Sequence, residues 1–291
     1  MFNKIPVFLH IPKCGGTYVC DAFLKLLNLY INTKTNVKDF KALRIRVIDD
    51  AKYMHAQMYL AVDVNLGSCP VLKLYPNPKN RNGWVNINQI EELLEFLKNK
   101  KIKLLGLVIK PPAVKIIKDN FFDNICSALS VEPSYFTILR NPYDRSASMY
   151  NYITTARSQH EPTHKRIVSE TFKDYLNSLE LSDSWLIRAL VNPPDFEKIT
   201  KKEYRKARKI LKKFKTADIW DIDIMLKNVF LDCHGLYLND EFFKTLRKNA
   251  APSKYAPLFE DLDPETKEAF LERTKPDWYI YNNCLKKPKK T

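Results

Sequence analysis

The sequence predicts an α/β fold in which helices cover both faces of a parallel sheet. Three observations lead there. Short apolar runs recur at 5–11, 103–110 and 134–140, each the length of a buried strand. Segments of helical periodicity stand between them, and the half after residue 142 is mostly helical. Strands alternating with helices form parallel sheets, because each crossover helix must lie on one face or the other.

Each element follows from local pattern. Val19, Phe23, Leu26 and Tyr30 recur at helical spacing, with Cys20, Leu24 and Leu27 beside them, and predict a helix over 17–30. Residues 31–50 are mixed and polar. Ala51 to Asn65 is an apolar stretch that carries His55. "VLKLYPNPKNRNGWVNI" (71–87) reads as two extended runs around a Pro/Asn/Gly turn. Gln89 to Lys100 predicts a short amphipathic helix, and "KLLGLVIK" (103–110) a strand stopped by Pro111-Pro112. A helical segment follows to about Leu129, then the strand "SYFTILR" (134–140). The helical half breaks near Pro193-Pro194, Gly235 and Pro252. The tail 286–291, "KKPKKT", reads as basic and disordered, which leaves 1–285 as one domain.

Composition narrows the class. The 291 residues are 45% hydrophobic, enough for a substantial core. The apolar run after Lys4 is short and broken by His10 and Lys13, unlike a signal peptide, and no stretch is long enough to span a membrane. A soluble, cytoplasmic chain is expected. Cys14, Cys20, Cys69, Cys126, Cys233 and Cys284 form no C-x-x-C pair, so free thiols are expected and a structural zinc site is not. The net charge of +15 suits an anionic partner without naming it.

Two segments carry chemistry. "HIPKCGGT" (10–17) runs directly from the first strand into the first helix. In such a unit the loop N–H groups and the helix N-terminus favour an anion. Gly15 and Gly16 let the backbone wrap closely, Thr17 can cap the helix or donate its hydroxyl, and Lys13 adds charge at the rim. The Lys-Ser/Thr pair that holds phosphate and magnesium together in nucleotide kinases is missing, and no acidic strand end stands out to complete a metal site.

The second segment is "TILRNPYDRSASMYNY" (137–152). Arg140 ends a strand, Asn141 suits an N-cap and Pro142 the first helical position. That places the guanidinium at the C-terminal edge of the sheet, where open α/β sheets bind ligands. Ser148 shares a helix face with Asp144 and Arg145 by three- and four-residue spacing, and an arginine with a serine can hold a terminal phosphate.

Together "FLHIPKCGGTYV" and "FTILRNPYDRSASMYNYI" resemble the two cofactor-binding signatures of sulfotransferases that use 3′-phosphoadenosine 5′-phosphosulfate (PAPS). The branch most similar contains the heparan and chondroitin uronyl 2-O-sulfotransferases with their bacterial and viral relatives. The resemblance implies a P-loop NTPase-like, three-layer α/β/α fold with a central parallel sheet and a largely helical C-terminal half. It also implies that Lys13, Cys14, Gly15, Gly16 and Thr17 bind the 5′-phosphosulfate, and Arg140 and Ser148 the 3′-phosphate. Cys14 replaces the family's usual threonine, and Tyr18 a frequent serine. "SWLIRAL" (184–190), "KNAAPSK" (248–254) and "DWYIY" (277–281) are weaker similarities.

The implied reaction moves a sulfonate from PAPS to a hydroxyl, on a carbohydrate or other small acceptor, with no metal. Lys13 would stabilise the leaving oxygen and a general base would take the acceptor's proton. The glycan enzymes place a histidine after a glycine in a middle strand; here leucine follows Gly106, and His55 is the candidate base instead. Two rival readings remain: a P-loop-like small-molecule kinase, and a basic nucleic-acid-binding protein without catalysis. The first lacks its lysine pair, and the second lacks a stacking arrangement of aromatics, so no nucleic-acid partner is expected.

Other signals read as structural. "HEPTH" (160–164) matches a zinc-protease pattern, but Pro162 costs a helix interior ~3 kcal/mol. Lys198 to Lys215 holds ten basic residues and one acid, with Tyr204, Ala207, Leu211 and Phe214 as an apolar stripe. It predicts an amphipathic helix with a solvated basic face, or a dock for an acidic acceptor. "DIWDID" (218–223) reads as surface.

Overall fold

Seven strands form one mixed sheet in the order β4-β2-β3-β5-β1-β6-β7. They are β1 (Lys4–Leu9), β2 (Phe40–Asp49), β3 (Tyr53–Asp63), β4 (Asn82–Asn86), β5 (Ile102–Ile109), β6 (Glu132–Leu139) and β7 (Lys215–Asp218). The computed structural model describes residues 3–34, 40–49, 53–63, 82–86, 90–98, 102–109, 121–154, 171–178, 184–191, 199–246 and 256–285. The tail 286–291, the motif 160–164, the segment 248–254 and the breaks at 193–194 and 252 lie outside them.

The parallel sheet expected from the alternating pattern holds for β5, β1, β6 and β7. It fails beyond β5, where β3 runs antiparallel to β5 and β2 antiparallel to β3. Antiparallel neighbours need only a short turn, so no crossover helix separates 40–49 from 53–63. β4 then pairs parallel to β2. Of the region 31–50, read as mixed and polar, residues 31–34 end α1 and 40–49 form a strand, in which Leu43, Ile45 and Val47 alternate with Arg44 and Arg46.

β1 is central because every residue from Ile5 to Leu9 is buried. Val7 and Leu9 point to one face and Phe8 to the other, as the two-residue period requires. On the Phe8 face lie α1 (Gly16–Lys34), α8 (Ile222–His234) and α9 (Asp240–Lys244), packed through Val19, Phe23, Phe230 and Phe242. Fully burying a residue such as Phe8 stabilises the fold by roughly 2–3 kcal/mol. The Val7 face is covered by α2 (Ile90–Leu97), α3 (Phe121–Ala128), α6 (Trp185–Val191), α7 (Lys201–Leu211) and α10 (Pro264–Cys284). A further apolar cluster joins α4 (Pro142–Thr154) and α5 (Phe172–Asn177) to α10 through Tyr143, Tyr150, Phe172 and Phe270.

Among the described residues of the C-terminal half the regular structure is helical apart from β7, a four-residue strand that the helical reading of 142–291 passed over. No described helix is long and apolar enough to cross a membrane.

Candidate anion-binding site

β1, β5 and β6 all end at one edge of the sheet, with Leu9 paired to both Ile109 and Thr137. The buried Thr137 hydroxyl donates to Leu9 O at 2.8 Å, which locks β6 to β1 just where both chains leave the sheet. His10 N–H still reaches Ile109 O at 2.7 Å, and Cys14 N–H closes a turn onto Ile11 O at 3.2 Å. Both predicted segments therefore emerge side by side.

The loop itself has the curvature of an anion cradle. Lys13 and Gly15 sit at φ 68° and 78°, on either side of Cys14. Alternation of φ sign turns successive N–H groups toward the same side, forming a concave nest. Among the described residues, the N–H groups of Gly15, Gly16 and Thr17 meet no backbone acceptor outside the helix, and the first turn of α1 carries no acid. The orphan donors and the positive end of the helix dipole thus face outward together.

Tertiary packing holds the cradle. A methyl group on Gly16 would fall 1.7 Å from His10 Nε2, so the imidazole occupies the space of a Gly16 side chain. His10 also stacks on Phe8 at 5.9 Å between centroids, which holds the ring beside the loop. A methyl on Gly15 would lie 2.8 Å from Ile222 Cδ1. α1 begins at Gly16, so exposed Thr17 lies inside the first turn rather than capping it.

The second segment closes on the first. The Arg140 backbone N–H interacts with the Cys14 thiol. Burial pushes that thiol up to about 12, against the pull of the Arg145 and Arg140 charges, so it stays protonated and unreactive at neutral pH. Lys13 Nζ lies 4.1 Å from the centre of the Tyr152 ring on α4. Asn141 caps α4: its Oδ1 accepts from Asp144 N–H at 2.8 Å and its Nδ2 donates to Asp144 Oδ2 at 2.6 Å. Arg140 Nε is buried without a hydrogen-bond partner among the described residues, and Ser148 is half-buried two turns into α4.

His55 lies in β3, whose first residues reach the same edge because β3 runs antiparallel to β5. It is the extra residue of a bulge, since Val47 pairs with Ala56 and Ile48 with Met54. Ala56 pairs with Ile109, so the His55 backbone is two strands, roughly 10 Å, from β1.

No protein-family model, no curated protein and no solved structure matches the chain. The site is therefore read from its own residues.

Two features were not legible beforehand. "DIWDID" is not plain surface: Ile219 and Ile222 pack on Gly15, and Tyr18 Oη donates to Asp223 at 2.5 Å. Asp218 ends β7, an acidic strand end where none had stood out, and it accepts from Trp220 N–H and from the Tyr281 hydroxyl. Among the described residues no group of three or more His, Cys, Asp or Glu could hold a metal ion. The second feature is a buried carboxylate that joins two segments. Asp277 accepts from Leu186 N–H at 2.8 Å and Ile187 N–H at 3.2 Å, joining α10 to the N-terminus of α6. The segments 184–190 and 277–281 thus meet.

Proposed function

We propose that the chain is a sulfotransferase, moving a sulfonate from PAPS to a hydroxyl of a carbohydrate or similar acceptor on a P-loop NTPase-like, three-layer α/β/α frame. The observation that carries this reading is the contact between Cys14 and Arg140, which puts the two phosphate-seeking segments at one edge. The residues fit an adenosine carrying two separated anionic ends. The nest at 13–17 offers donors for one, and Arg140, with an orphaned Nε, offers a charge for the other.

Bound there, PAPS supplies a sulfonate group on a phosphate leaving group. Lys13 carries a positive charge to the rim of the nest, where charge develops on the leaving oxygen. The N–H groups of Gly15, Gly16 and Thr17 would hold the leaving phosphate without metal, the Cys14 N–H being spent on Ile11 O, and Arg140 with Ser148 would fix the far phosphate, turning binding energy into alignment. His55, two strands from β1, would take the acceptor's proton.

Asp218 favours one second reading, a small-molecule kinase, since an acid at a strand end can hold the magnesium of a nucleotide triphosphate. Calorimetric titration separates them. The sulfotransferase reading expects 3′,5′-adenosine bisphosphate to bind equally with and without magnesium, and more tightly than ATP. Tighter, magnesium-dependent binding of ATP would move the assignment to the kinase.

A further inference from the structure

Arg145 is 5% exposed, and its guanidinium carbon lies over the Trp185 ring, 4.0 Å from its centre. Its Nη1 is buried without a hydrogen-bond partner among the described residues. A cation taken out of water costs several kcal/mol unless an opposite charge meets it. The carboxylate that acts on it, Asp277, already spends its two oxygens on Leu186 N–H and Ile187 N–H. Its other electrostatic neighbours, Tyr175 and Cys14, are neutral in their ordinary protonation states. Of the charged groups acting on Cys14, Arg145 is the strongest. Trp185 packs against the buried cluster that contains Cys14, so this cation, incompletely compensated by the protein, lies on the inner side of the loop that forms the nest.

We propose that Arg145 is a positioning residue of the anion site: held on Trp185 beneath Cys14, it supplies fixed positive charge to a phosphate-sized anion in the nest. This deepens the reading above and rests on the nest being an anion site, though not on the anion being a phosphosulfate. Lys13 acts from the half-exposed rim, where water screens it. Arg145 acts from below, through low-dielectric protein, so its charge reaches the nest with little loss. The site is then charge-complete only when the anion is present, which ties folding stability to ligand.

Arg145→Met, Arg145→Lys and the wild type would be compared by thermal unfolding and by calorimetry, using inorganic pyrophosphate and 3′,5′-adenosine bisphosphate as probes. Arg145→Met is expected to fold, with an unfolding temperature at or above the wild type when no anion is added, because an uncompensated charge is gone. It should bind pyrophosphate at least ~10-fold more weakly, the worth of one nearby charge in partly screened protein. Arg145→Lys should recover most of that loss. A Met variant that fails to fold, or that binds pyrophosphate like the wild type, overturns the proposal, as does a Lys variant no better than Met. Pyrophosphate binding that depends on Arg145 without any preference for adenosine bisphosphate would sustain this inference and sink the sulfonate-donor reading. Adenosine bisphosphate binding indifferent to Arg145 would do the reverse.

Discussion

Lys13 Nζ rests 4.1 Å above the ring of Tyr152, so the loop after β1 touches the helix that follows Arg140. An exposed cation–π contact of this kind is worth about 0.5–1 kcal/mol, enough to park the ammonium and too little to hold it against an anion. Lys13→Ala should therefore weaken 3′,5′-adenosine bisphosphate by at least ~10-fold, as expected for a lost charge-assisted contact. Tyr152→Leu should change it less than about threefold, the scale of that cation–π energy. Calorimetry of both variants checks this, and a larger effect from Tyr152 would show that the ring, not the anion, is what Lys13 serves.

Gly16 and His10 share one volume. Gly16→Ala should lower stability by roughly 1–3 kcal/mol, the usual cost of overpacking. Adding His10→Ala should recover part of that loss, because the second change vacates the space the methyl needs. A double-mutant cycle in denaturant reads the coupling, and strictly additive effects would refute the contact.

Two buried groups give opposing pH dependences. Burial raises the Asp277 carboxyl from 3.8 to about 6, so it favours the folded state below its unfolded value and loses that contribution as pH rises through about 6. Burial lowers His234 from 6.5 to about 4, with its ring bonded to Leu105 O at 2.9 Å; its contribution is present above 6.5 and lost as pH falls through about 4. Relative to the wild type, Asp277→Asn should gain stability as pH rises from about 4 to 6, and His234→Asn as pH falls from about 6.5 to 4. Unfolding temperatures across that range test both signs, and parallel curves for all three proteins would contradict them.

Much of this was legible in the chain. β1, its glycine loop and α1 announce themselves because an all-apolar run meets Gly15-Gly16 and then a helical stripe. Arg140-Asn141-Pro142 marks a strand end and a helix start by local chemistry alone, and Asn141 does cap α4. β2 carried a signal in the alternation of Leu43, Ile45 and Val47 with two arginines, diluted by its polar surroundings. β7, four residues of Lys-Thr-Ala-Asp, carries no pattern of its own and exists through its pairing with β6. Spacing put Arg145 on one face with Asp144 and Ser148, but spacing cannot say which side of that face turns inward. Trp185, far along the chain, decides it. The packing of Ile219 and Ile222 on Gly15 is likewise long-range and invisible to local reading.

His55 separates binding from turnover. As the proposed base it would touch the acceptor and not the nucleotide, so His55→Ala should leave bisphosphate affinity within about twofold while cutting sulfonate transfer by ~100-fold or more, the usual worth of general base catalysis. Transfer that survives the substitution would return the base to another residue.

The two-ended slot is tested most directly by one ratio: the affinity for 3′,5′-adenosine bisphosphate over that for 5′-AMP, in the wild type and in Arg140→Ala. An arginine–phosphate grip predicts a wild-type preference of roughly 10–100-fold, collapsing toward unity in the variant while 5′-AMP binding is untouched. A wild type indifferent to the 3′-phosphate, or a variant that loses both nucleotides equally, would contradict it.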